Sequence, residues 1–309
     1  MNWVLPFDWN PQTDRKIIPS SHLFFMGSCF AENIAHILLK DRFHVGLNPF
    51  GILYNPVSMA KSFEYCLHKT QFEENNLFHF NELWHSELHH SSFSDMNKEL
   101  VVEKINTAIS EAHRHIQQCD FIFLTSGTAK VFCSKKTNQI VGNCHKRPAA
   151  DFSERVLDVG EIAEAWANLF SLCPDKVFYV SISPVRYVRE GLVESNHSKA
   201  VLRVALMQLA ERFPNVHYFP AYELITDVLR DYRFYANDLV HPNQQAIDFV
   251  YDFFMDKLFD PLAKDYVKEW RKVDAMLNHK ALNPTSAQWN EFEKKRNLSL
   301  TAFKQKWNL

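Results

Sequence analysis

His22-Leu23-Phe24-Phe25-Met26-Gly27-Ser28-Cys29-Phe30-Ala31 carries a sharp change of pattern. The apolar run from His22 to Met26 stops at Gly27-Ser28 and passes directly into an amphipathic stretch from Ala31 to Leu39, which predicts a buried strand feeding a helix. Ser28 then falls at the carboxyl end of that strand, beside a helix N-terminus whose dipole favours developing negative charge. In open α/β sheets this edge is where ligands bind. A serine at such a place also suits a plain helix cap.

Outward from this segment the same alternation repeats. Further strands are expected at Phe43–Leu47, Phe121–Thr125, Val177–Ile182 and Val216–Phe219. Helices are expected at Asn97–Gln118, Val159–Leu172, Ser195–Arg212 and Gln244–Leu258. Short apolar runs alternating with longer amphipathic ones predict the α/β class, a doubly wound parallel sheet with helices on both faces. Two segments interrupt the rhythm: an aromatic-studded, polar insertion at about 56–94, expected to be helical, and a β-hairpin over 130–143 turning at Lys135-Lys136-Thr137-Asn138. The division expected is an α/β domain over 1–264 and a C-terminal helical appendix over 265–309, broken near Asn283-Pro284-Thr285.

Composition narrows the function classes. Lys and Arg total 34 against 36 Asp and Glu, and 46% of the 309 residues are hydrophobic. Neither a generally basic nucleic-acid surface nor an acidic disordered tail fits that balance. Only 7 glycines are present, so each is a candidate for a backbone requirement. The six cysteines form no C-x-x-C pair, the start of the chain lacks a basic segment followed by an apolar one, and no apolar run reaches membrane length. A cytoplasmic protein with reduced thiols and no membrane or nucleic-acid partner is expected.

A second local feature lies far downstream, in Asn237-Asp238-Leu239-Val240-His241-Pro242. Asp and His three residues apart in a turn place a carboxylate on imidazole Nδ1 and leave Nε2 to accept a proton from a hydroxyl. The same pair would also suit a turn cap and a packed imidazole. Arg186, after the strand ending at Ile182, sits at the same sheet edge, where it could hold a carboxylate or phosphate or pair with an acidic residue. His145 is either a substrate contact or a satisfied structural histidine.

The chain order Ser28, Asp238, His241 resembles the SGNH (GDSL-type) hydrolase superfamily, and more closely the GSCFA family within it. That family's motif stands here as Gly27-Ser28-Cys29-Phe30-Ala31. Asn48-Pro49-Phe50-Gly51, Tyr54-Asn55-Pro56, Gly127-Thr128-Ala129, Asn143-Cys144-His145-Lys146, Ser183-Pro184-Val185-Arg186 and Phe234-Tyr235-Ala236 look like the same family, over about Gly27 to Phe254. The resemblance implies a flavodoxin-like three-layer α/β/α sandwich. It also implies a serine esterase or acyltransferase without cofactor, with Ser28 as nucleophile, His241 as general base then acid, and Asp238 fixing the imidazole. The oxyanion donors it implies are the Ser28 N–H and Gly51 or its neighbour. Where the superfamily carries an Asn after the third strand this chain has Ala129, so the Asn143 side chain, or more weakly Thr128, is expected to substitute.

Rival readings remain at this point. Cys29 could be a thiolate nucleophile, although Ser28 holds the matching position. His85 and His89 are spaced for a shared metal ion, although no companion motif accompanies them and no metal is expected. Hydrolase and O-acyltransferase share one acyl-enzyme, and a binding protein on the same fold is the alternative outside catalysis. The expected substrate is a small-molecule or glycan-type acyl ester; the oligomeric state is not readable.

Overall fold

Leu23 and Phe25 of the first strand, β1 (His22–Gly27), enter one apolar cluster while Phe24 and Met26 enter another. Successive strand side chains point to opposite faces, so a strand apolar on both must be covered on both. The structure, a computed structural model, describes residues 6–307 apart from the Glu190 side chain. Residues 1–5, read above for a targeting segment, and 308–309 of the appendix lie outside the described residues.

After β1 come α1 (Cys29–Lys40), β2 (His44–Leu47), α2 (Pro56–His68), a hairpin of β3 (Leu77–Phe80) and β4 (Leu83–Ser86), and α3 (Lys98–Gln118). Then follow β5 (Phe121–Ser126), an antiparallel trio β6 (Lys130–Ser134), β7 (Ile140–Val141) and β8 (Phe152–Val156), and α4 (Val159–Leu172). The chain continues through β9 (Val177–Ile182), α5 (Leu192–Arg212), β10 (Val216–Tyr218) and a short α6 (Ala221–Glu223), and ends in α7 (Gln244–Leu258), α8 (Pro261–Leu277) and α9 (Ala287–Trp307).

The five expected strands form one parallel sheet in the order β10-β9-β5-β1-β2. Chain direction across the sheet reverses between β1 and β5, which puts the ligand-binding crevice of a doubly wound fold directly after Ser28. Phe25, Phe123 and Tyr179 pack under α1 and α7, with Tyr266 and Trp270 of α8 and Phe303 of α9 continuing that layer. On the opposite face, Phe24, Ile122 and Phe178 pack under Phe63 of α2, Ile105 of α3, Trp166 of α4 and Leu202 of α5. The result is a three-layer α/β/α sandwich.

The segment read as a polar insertion begins with a helix of the core. Met59, Ala60, Phe63 and Cys66 of α2 are buried at helical spacing, and Asn55 caps it by accepting the Ser58 N–H at 2.8 Å. Lys61, Glu64 and the two serines Ser58 and Ser62 dilute the apolar average of this window, although the stripe itself is one-sided. The hairpin expected over 130–143 gains a third strand, β8, along the other edge of β6. At the far end, α8 is pinned to α1 where Arg271 donates to both Asp41 oxygens (2.9 and 2.7 Å) and Tyr251 donates a third hydrogen bond (2.7 Å). Among the described residues no helix is long and apolar enough to cross a membrane.

Candidate active site

Gly27 has φ +127°, and a Cβ there would lie 2.1 Å from the Thr125 carbonyl oxygen, so only glycine ends β1 this way. That close approach lets the Ser28 N–H donate to Thr125 O (3.1 Å), while the Gly27 N–H donates to Asn48 Oδ1 (2.9 Å). Ser28 is the N-cap of α1, but its hydroxyl makes no capping bond. It is fully buried and has no hydrogen-bond partner among the described residues. An unpaired buried hydroxyl forfeits about 1–3 kcal/mol, and a native fold that keeps one does so for a reason.

The downstream pair is assembled locally. Asp238 Oδ1 accepts the N–H groups of Val240 (2.9 Å) and His241 (3.0 Å), and His241 Nδ1 donates to Oδ2 at 2.7 Å. These bonds, led by the backbone N–H of His241, hold the Asp238 carboxyl down at about 2. In the neutral imidazole this contact puts the ring proton on Nδ1 and makes Nε2 the acceptor. The loop is closed by Ala236 N–H on His241 O (2.7 Å) and tied to the segment after β9 by Arg186 N–H on Val240 O (3.2 Å).

Asp238 and His241 line a cleft of about 900 Å³ together with Cys29, Thr128, Asn143 and Arg186. Ser28 and Gly51 do not line it. Ser28 Oγ and His241 are accordingly not hydrogen-bonded in this conformation, although Cys29, the next residue, forms part of the wall. The Cys29 thiol is pushed up by burial, only partly offset by the N–H groups at the start of α1, so it stays protonated at neutral pH.

The oxyanion candidates fare unequally. The Ser28 N–H is given to Thr125, the Gly51 N–H to Asn48 O (2.8 Å), and the Thr128 hydroxyl is paired with Ser198 (2.8 Å). Asn143 Oδ1 accepts the His145 N–H (2.8 Å), which turns Nδ2 the other way with no partner among the described residues. Asn143 thus keeps a side-chain donor at the cleft. His145 lies buried behind it, donating Nε2–H to Ser86 O (2.7 Å) and accepting from Ser91 at Nδ1 (3.2 Å). Burial lowers its pKa to about 4. Among the described residues no three His, Cys, Asp or Glu side chains converge as a metal site.

Sequence reasoning passed over three groups that shape the cleft. Asn48 carries the amide that holds Gly27, and its Nδ2 is buried without a partner among the described residues. Lys199, buried in α5, donates to Gly127 O and Ser183 O (2.6 Å each), joining the loops after β5 and β9. Tyr232 and Tyr235 hold the Arg186 guanidinium. Asn48 stood within a quoted motif, whereas nothing in the periodicity of α5 marks a lysine as buried.

The GSCFA family model matches residues 22–254, about three quarters of the chain. Among solved structures, a Streptococcus pneumonia protein provisionally named a platelet activating factor superposes with a TM-score of 0.41 at 15% identity, covering 78% of this chain and 85% of that one. No curated protein matches the chain.

Proposed function

Because the chain belongs to the GSCFA family, we propose that it is an SGNH-type serine hydrolase acting on an acyl ester through an acyl-Ser28 intermediate. The observation that carries this reading is the Asp238–His241 hydrogen bond of 2.7 Å in the wall of a large cleft at the carboxyl edge of the sheet. An ionised, backbone-anchored Asp238 orients the His241 ring through Nδ1, leaves Nε2 as the nitrogen that exchanges the proton, and would stabilise the imidazolium formed when it takes one, which is what a general base needs. His241 takes the Ser28 hydroxyl proton as Oγ attacks the acyl carbon, then returns it to the departing alcohol. Water repeats the sequence in reverse roles and releases the acid.

Turnover requires Ser28 to turn toward the cleft, and its hydroxyl has no hydrogen bond to give up in doing so. Asn143 Nδ2 is the side-chain donor best placed on the wall to stabilise the oxyanion. An acyltransferase would use the same acyl-enzyme with a different acceptor. A binding protein without turnover is the second reading, favoured by the complete burial of Ser28 and the prior engagement of the Ser28 and Gly51 N–H groups. Hydrolysis of p-nitrophenyl esters separates them: the hydrolase reading expects turnover that falls at least about 10³-fold in both Ser28→Ala and His241→Ala. Equal rates in the three folded proteins would exclude it.

A further inference from the structure

Two carboxylates line the cleft, and both are already compensated within it. Glu154 lies 2.6 Å from Lys130 Nζ, and Asp238 is engaged by His241 and two backbone N–H groups. Two arginines also line it, Arg186 and the exposed Arg189, and neither has a carboxylate partner among the described residues. The cleft therefore holds guanidinium charge that no acidic group of the described chain neutralises.

Arg186 is moreover built in place. Its Nε–H donates to Tyr235 (3.3 Å) and one Nη1–H to Tyr232 (3.2 Å), and its Cζ lies 5.0 and 5.3 Å from the centroids of the same two rings. Of five N–H donors, three remain, one on Nη1 and both on Nη2, so N–H groups on two different nitrogens are left for a carboxylate or phosphate. Neutral phenols orient the guanidinium fork without quenching its charge. The Arg186 N–H bonded to Val240 O ties this group to the loop that carries Asp238 and His241.

We propose that Arg186 is an anion-binding residue of the cleft and that the substrate is an acyl ester bearing a carboxylate or phosphate group away from the bond that is cleaved. Calling the anion part of a substrate rests on the hydrolase reading; the anion site itself does not. Arg189, on the same wall, adds long-range attraction for the same charge.

The test is titration of inorganic phosphate and of succinate, separately, into the full chain at low ionic strength and pH 8, by calorimetry. Wild type is expected to bind at least one of them, Arg186→Gln about tenfold or more weakly, and Arg186→Lys in between, because lysine keeps the charge and loses the fork. The stronger of the two anions assigns the group as phosphate or carboxylate. Absence of binding to wild type, or equal binding to Arg186→Gln, overturns the proposal. Should Arg186→Gln fail to fold, binding by Arg186→Lys equal to wild type does the same. No turnover enters this measurement, so a failure of Ser28 to react leaves its outcome intact.

Discussion

Lowering the pH from 8 to 5 places a proton on His89 of the unfolded chain but not on His89 of the folded one. The imidazole is fully buried, stacked on Phe50 (ring centroids 3.8 Å apart) with Phe72 and Phe93 at its edges. Burial first, and neighbouring His145 second, push its pKa from 6.5 down to about 3. A folded value below the unfolded one means that the linked stability is whole above pH 6.5 and is lost as the pH falls toward 3. At about 1.4 kcal/mol per pKa unit, the loss accumulated by pH 5 is about 2 kcal/mol. His145, also lowered by burial, acts in the same direction, so this figure is a floor. Urea unfolding at pH 8 and pH 5, followed by tryptophan fluorescence, measures it against His89→Phe. Phenylalanine keeps the ring contacts and gives up one bond, that of Nδ1 with Ser86 (2.7 Å). The variant is expected to start less stable at pH 8 and to lose about 2 kcal/mol less than wild type between the two pH values. An identical pH dependence in the two proteins would refute the reasoning.

Other outcomes follow from single contacts. Asp238→Asn is expected to lower kcat by about 10⁴-fold on a p-nitrophenyl ester while leaving thermal unfolding nearly unchanged, since an amide oxygen still accepts the Val240 and His241 N–H groups but no longer sets the imidazole tautomer. Arg271→Ala leaves the buried Asp41 carboxylate with Tyr251 as its remaining side-chain donor and should cost about 3 kcal/mol by chemical denaturation, part of it recovered in Asp41→Asn/Arg271→Ala. Gly27→Ala forces a Cβ against the Thr125 carbonyl at positive φ and should lower stability by at least about 2 kcal/mol, read as a fall in the unfolding midpoint.

The sheet was legible because β1, β5 and β9 at its centre are short and apolar on both faces. Val177–Ile182 is found at its expected bounds, and β1 and β5 each extend one residue further. The place of helix α2 in the core was not legible, although its segment was expected to be helical, because its apolar stripe is interleaved with Ser58, Lys61, Ser62 and Glu64, and an average over the window hides a one-sided pattern. Helix α5 starts at Leu192 rather than Ser195 because Gly191, at φ +90°, turns the preceding loop into it. Within the site, the Asp238–His241 contact could be read because it closes inside one turn. Whether Ser28 lies open beside it could not, since burial is decided by Thr125, Asn48 and the start of α1, which meet only in the folded chain. The same holds for the oxyanion donors. Motif position says where an N–H lies, but only the fold says that Asn48 O already holds the Gly51 N–H and that Asn143 Nδ2 is spare.

Activation of Ser28 as a nucleophile by His241 is read out by intact-mass measurement of fluorophosphonate labelling. One adduct is expected on the wild-type chain, mapped to the peptide containing Gly27-Ser28-Cys29 and absent from Ser28→Ala, with labelling of His241→Ala slowed at least about 10²-fold. An adduct that persists in Ser28→Ala, or a folded wild-type chain that takes up none, would contradict it.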